Sequence, residues 1–120
     1  MSVVNALGVL SGLSFLIYGL SCLRSSAMER EFERFGLAKF RVLTGVLEVC
    51  GGAGLLIGFW YPPLMFAAAA GLAVLMALGV GVRVRVRDSL VQTLPAIGFF
   101  GVNAYVAIET WQRVWQRVWS

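Results

Sequence analysis

Residues 42–82 read VLTGVLEVCGGAGLLIGFWYPPLMFAAAAGLAVLMALGVGV, 41 residues in which Glu48 is the single charged side chain. An α-helix rises about 1.5 Å per residue, so about 20 apolar residues cross a hydrocarbon core of about 30 Å. The stretch is too long for one crossing and the right length for two. Pro62-Pro63 divides it, because proline lacks a backbone donor and disfavours helix in the residue before it. This gives helix two over about 42–61 and helix three over about 64–82. Trp60 and Tyr61, at the break, suit a membrane–water interface, where amphipathic rings collect.

The reading extends in both directions. Residues 1–23 carry no charged side chain. They lack the basic start and short apolar region of a cleaved signal, so residues 3–23 read as a retained first helix. Residues 89–110 form helix four, with Pro95 as a tolerated kink. Between helices one and two, Met28, Phe32 and Phe35 recur at helical spacing among charges. Ser26 with Glu29 suggests a capping box and Gly36 a C-cap. Segment 26–35 is thus either a short amphipathic helix on the membrane surface or a plain connecting loop. Arg83, Arg85 and Arg87 alternate as in a strand, but between two spans they suit a loop facing lipid phosphates. The tail 111–120 places Trp111, Trp115 and Trp119 four residues apart, roughly on one helical side, with Arg113 and Arg117 on another. It reads as an extension of helix four anchored by indoles, with a protein-docking stripe as the alternative. The expected architecture is all-α: one transmembrane domain over 1–120, a four-helix bundle with an amphipathic surface helix after helix one.

Composition agrees. The chain is 59% hydrophobic and 13% charged, with mean hydropathy +0.82. Soluble domains average about 45–50% apolar and about 25% charged, and a domain this small could not hide the excess. Ten Lys and Arg against six Asp and Glu give +4. The arginines flank apolar spans, so no nucleic-acid partner is expected. Loop 24–41 holds five Lys/Arg, loop 83–88 three, the loop between helices two and three none, and the tail two. The positive-inside rule then places both basic loops in the cytoplasm and both termini outside, in a cell membrane of the bacterial inner-membrane type. With no His and only Cys22 and Cys50, bis-His haem ligation and Cys-x-x-Cys redox chemistry are excluded and no metal site is expected. The two cysteines fall at different depths and are not expected to pair.

Glu48 is the most informative residue. A carboxyl inside a span costs about 2.5–3.5 kcal/mol on insertion scales and therefore tends to face protein or water. Thr44, Gly45, Gly51 and Gly52 surround it at helical spacing, and small residues let a neighbouring helix approach. In helix one, Ser11, Ser14, Tyr18 and Ser21 form one stripe. Tyr18 lies five residues from the end of its helix and Glu48 six from the start of the next. Their depths therefore match within a few ångströms, which allows a Tyr18–Glu48 hydrogen bond. Gln92 and Asn103 add polar groups on helix four. Helix three has none, and its Ala73, Ala77 and Gly81 suggest a packing and lipid-facing helix. Gly8/Gly12 and Gly54/Gly58 make weak GxxxG pairs. This polar set is either interhelical glue or the lining of a cavity for a proton, a solute or a lipid headgroup.

The segment Phe32-Glu-Arg-Phe-Gly-Leu37, followed by Phe40 to Gly58 with Gly45, Glu48 and a glycine-rich continuation, resembles the DoxX-like family of small four-helix integral membrane proteins. The four-helix order extends the resemblance over nearly the whole chain, with residues 32–58 its specific part. Helix three departs from relatives in lacking polar side chains. The resemblance implies a membrane bundle; some relatives sit in quinone-linked oxidoreductase complexes and others resemble assembly chaperones. Three functions follow as expectations. The first is a non-catalytic scaffold or assembly factor with a homo-oligomeric or other membrane-protein partner. The second is a subunit of a quinone-linked oxidoreductase, quinone being the one cofactor to consider. The third is a small proton-coupled transporter or a lipid- or solute-binding bundle using Glu48. Small multidrug transporters also carry one membrane Glu, but in the first helix, which here has none.

Overall fold

The structure, a computed structural model, describes residues 3–119, with side chains through 116. Five helices follow in order: α1 (Val3–Arg24), α2 (Ser26–Phe35), α3 (Arg41–Ile57), α4 (Pro62–Arg85) and α5 (Leu90–Trp119), with a 3-10 turn at Ala38–Phe40 before α3. α1, α3, α4 and α5 are long and apolar enough to cross a membrane. At most a third of any of the four spans is buried inside the protein. Their outer surfaces carry Leu10, Ile17, Val74, Leu78 and Leu94, all exposed. A contiguous apolar surface of this extent suits lipid, not water.

Three boundaries differ by two or more residues from the sequence expectation. One is the end of α4, which runs to Arg85 and not to about 82, so Arg83 and Arg85 lie on the helix and not in a loop. In the other two, α3 ends at Ile57, not near 61, and α4 begins at Pro62, not near 64. The cause is local. Tyr61 is extended (φ −140°, ψ 91°), as a residue before proline prefers. Pro62 then takes the first helical position, where its missing N–H is no loss. Gly58 to Tyr61 make the turn, with Trp60 N–H donating to Ile57 O at 3.1 Å and Tyr61 N–H to Gly58 O at 3.1 Å. At the other end α5 runs unbroken through Pro95 into the tail. Thirty residues rise about 45 Å, more than a hydrocarbon core, so one end stands in the headgroup zone.

The bundle is built from two tight antiparallel pairs, α1 with α3 and α4 with α5. Glycine makes the first pair close. A Cβ at Gly12 would lie 2.9 Å from Gly52 O, and one at Gly19 would lie 2.9 Å from Gly45 O. The two crossings are seven residues apart on each helix, so the backbones touch along a seam two turns long. Dispersion and close approach hold helices together in lipid, where the hydrophobic effect between spans is absent. Gly51, Gly54 and Gly58 instead meet α4, through Leu72, Ala68 and Met65. The three glycines grouped around Glu48 thus serve two neighbours: Gly45 and Gly52 face α1, and Gly51 faces α4. Between the pairs lies a core of Val4, Phe15, Leu55, Met65, Leu72 and Val106. On α4 the buried residues are Met65, Ala69, Leu72 and Ala73. Ala77 and Gly81 are exposed, so the small-residue series that starts at Ala73 leaves the interior after its first member.

Candidate functional site

The sequence between α1 and α3 folds as a helix and not as a plain loop. Ser25 leaves α1 in an extended conformation and caps α2, its Oγ accepting from Ala27 N–H at 3.2 Å and Met28 N–H at 3.4 Å. The cap is therefore one residue before the expected Ser26. Gly36, at φ 74°, ends the helix in the left-handed conformation that glycine adopts without a steric cost. Leu37 N–H then returns to Phe32 O at 2.9 Å. The chain reverses there and enters α3 through the 3-10 turn. Arg41, the first residue of α3, donates to Cys22 O at 2.9 Å and Leu23 O at 3.0 Å. It satisfies carbonyls that the end of α1 leaves without helical partners.

These two reversals lay α2 across one end of the bundle. Its Met28, Phe32 and Phe35 turn inward, and Phe32 is buried. Beneath them is a cavity of about 450 Å³, reached also by all four spanning helices. This is within the range of about 300–1,000 Å³ usual for small-molecule sites. The wall is mostly apolar. Glu48 and Arg83 are the only charged residues on it among the described residues, with Thr44 and Gln92 as further polar members. Glu48 is 9% exposed, and its Oε2 has no hydrogen-bond partner among the described residues. Leaving a buried polar group unmatched costs about 1–3 kcal/mol, more if it is charged.

An ionic latch ties α2 to the loop between α4 and α5. Arg34 grips Asp88 with both guanidinium nitrogens, at 2.8 and 3.1 Å. Arg83 reaches the same carboxylate at 2.7 Å, and Glu31 accepts from Arg34 at 2.8 Å. Arg85 donates to Phe35 O at 2.6 Å, on the last turn of α2. The Asp88 side chain is only 5% exposed. Hydrogen bonds from Arg34, with Arg83 adding to them, hold its carboxyl down to about 2. Asp88 in turn raises Arg34 further into its charged form. The guanidinium groups of Arg34 and Arg83 lie 4.9 and 5.4 Å from the Phe35 ring centre. The arginines at 83 and 85 thus engage protein and not only lipid phosphate.

The polar residues singled out from the sequence divide into separate sets. Glu48, Tyr18 and Gln92 line the cavity. The expected Tyr18–Glu48 hydrogen bond is not formed: Glu48 Oε2 is unmatched, and the Tyr18 ring packs edge-on against Phe15 and Phe99, at 6.5 and 5.7 Å between centres. Gln92 caps the start of α5, its Oε1 accepting from Ser89 N–H at 3.0 Å. Asn103 lies elsewhere, fully buried, accepting from Ser11 Oγ at 2.9 Å and donating to Phe99 O at 2.8 Å. Ser14 turns back on its own helix and donates to Leu10 O at 2.9 Å. Cys22 is buried and Cys50 exposed, both as free thiols. At the opposite end Trp60 is 80% exposed, and Trp111 stacks on Trp115 with ring centres 5.7 Å apart. The Trp119 side chain lies outside the described residues. Sequence reasoning did not find the latch. Its one signal is Asp88, the sole acid beside three arginines.

Four lipid-facing spans with glycine-packed seams and an interfacial helix over one end define a multi-pass membrane bundle. The sequence model of the DoxX-like family matches residues 3–107, and the chain belongs to that family. No curated protein and no solved structure matches it.

Proposed function

We propose that this DoxX-like protein is a non-catalytic membrane bundle that holds a small lipophilic ligand beneath α2, with Glu48 as its polar contact. One observation carries the reading: the Oε2 atom of Glu48 is buried without a partner on the wall of an otherwise apolar cavity. Interhelical glue would have its bonds made, as Asn103 does. By the positive-inside count, segments 24–41 and 83–88 lie in the cytoplasm and both termini outside, in a cell membrane of the bacterial inner-membrane type. The cavity then opens in the cytoplasmic leaflet, where membrane lipids surround it, and Trp60, Trp111 and Trp115 anchor the other side.

A second reading, a scaffold or assembly factor, has its own support. Added Cβ atoms at the exposed Gly71 and Gly81 of α4 and Gly98 and Gly101 of α5 would meet nothing within 4 Å. Such open positions let another helix come close, from a second copy or a different membrane protein.

Native mass spectrometry of protein extracted gently from its own membrane tests both. The expected result is a small-molecule adduct on the wild-type chain that Thr44→Trp, which fills the cavity, removes. An adduct of quinone mass would place the chain beside a quinone-linked oxidoreductase. A protein partner or homo-oligomer with no adduct would select the scaffold reading and exclude the first.

A further inference from the structure

Six aromatic rings, Phe15, Tyr18, Phe32, Phe35, Phe40 and Phe99, line the same cavity as Glu48; Phe35 already meets Arg34 and Arg83, and Phe40 meets Lys39, which leaves four rings without a cation among the described residues. The six come from α1, α2, the 3-10 turn and α5, so the rings surround the space from several sides. Aromatic faces attract cations within about 6 Å of the ring centre, and more strongly once water is excluded. Among the described residues Glu48 supplies the one acidic group on this wall, 9% exposed and with Oε2 unmatched. The only other charge on the wall among the described residues, Arg83, is already matched by Asp88 at 2.7 Å, with Glu31 at 3.8 Å. Its cation therefore does not neutralise Glu48. The wall offers a counter-charge, π faces and few hydrogen-bond donors.

We propose that the ligand of this cavity is a small lipophilic cation carrying aromatic or alkyl groups, whose charge is met by Glu48 and whose body packs against the rings. This rests on the reading of the cavity as a lipophile site and names the chemistry it selects. A neutral hydrogen-bond acceptor meets the rings and accepts from Glu48 only when the carboxyl holds its proton, whereas a cation pairs with the carboxylate. A cation satisfies both features of the wall. The volume of about 450 Å³ equals the space of about fifteen waters, which suits one compact molecule and not a two-chain lipid.

A matched pair of probes tests the assignment. Methyltriphenylphosphonium and triphenylphosphine oxide carry the same three phenyl groups; the first is a cation and the second a neutral hydrogen-bond acceptor. Each is equilibrated by dialysis with the full chain in detergent, with micelles alone as reference. The expected result is binding of the phosphonium at least ten-fold tighter than the oxide, with that preference lost in Glu48→Gln. Equal binding, tighter binding of the oxide, or a preference that survives Glu48→Gln overturns the cation assignment and leaves the lipophile site standing. Binding of neither probe removes the lipophile site and the cation assignment together. The comparison on wild-type protein needs no variant to fold.

Discussion

The α1–α3 seam and the cavity beneath α2 are built on the same helix, α3, within a few residues of each other. At the seam, backbones are in contact and the glycines leave no room for a side chain. Nearby, Ser11 and Asn103 complete each other's hydrogen bonds in full burial. One turn along α3 from Gly52, Glu48 has an unmatched oxygen beside open space. A bundle able to satisfy Asn103 completely leaves its one mid-span carboxyl incomplete. Buried polar groups are matched in nearly all native structures, and the proposed ligand is what would complete Glu48.

The largest effect should come from closing the seam. In Gly52→Ala the new Cβ meets Gly12 O at 2.7 Å and Leu16 N at 3.0 Å, both backbone atoms that cannot turn aside. We expect a loss of about 1–3 kcal/mol, read by denaturant unfolding in detergent. Gly79→Ala and Gly98→Ala, where a Cβ meets nothing, should be neutral or gain up to about 1 kcal/mol from helix propensity. Equal losses at both kinds of site would remove the seam as the source of stability.

Breaking the buried pair should cost less. Ser11→Ala leaves Asn103 Oδ1 without its donor, and interhelical hydrogen bonds in membranes average about 0.6 kcal/mol with a maximum of about 1.7. The same unfolding assay reads this loss.

The latch should respond to acid in a defined window. The Asp88 carboxyl is depressed in the folded protein to about 2, so its contribution is complete above the unfolded value of about 3.9 and disappears as pH falls through 2. The protection factors of the α2 amides, which remove the intrinsic pH dependence of exchange, should stay constant from neutral pH down to about 4 and fall at lower pH. Asp88→Asn should show the lower protection already at neutral pH. Unchanged α2 protection in Asp88→Asn would mean that Phe32 and the 3-10 turn hold the helix without the ion pairs.

The smallest effect is at Arg87, two residues past the end of α4 at φ 61°, with Asp88 N–H returning to Arg83 O at 2.9 Å. Glycine adopts this left-handed conformation without the Cβ penalty. Arg87→Gly should be neutral to slightly stabilising, by less than about 1 kcal/mol, in the same unfolding measurement.

Much of the fold can be read from one dimension. Charge-free length counts spans, Pro62-Pro63 marks a reversal, and Gly36 stops α2; each is a local property. The site needs rotation and partner choice, which are not local. Tyr18 and Glu48 share a depth, yet depth says nothing of where a side chain points around its helix, and Tyr18 turns to Phe15 and Phe99. Gly51 and Gly52 are adjacent in sequence but about 100° apart on a helix, so they meet different neighbours. The α2 latch joins Arg34 to Asp88, fifty-four residues away, and no spacing rule spans that distance.

If Glu48 is incomplete without a ligand, the unfolding free energy of ligand-free Glu48→Leu beside wild type shows it most directly. Removing an unmatched buried carboxyl should leave stability unchanged or raise it by about 1 kcal/mol or more, while ligand binding is lost. A loss of more than about 1 kcal/mol would show Glu48 to be structural glue and contradict the binding site.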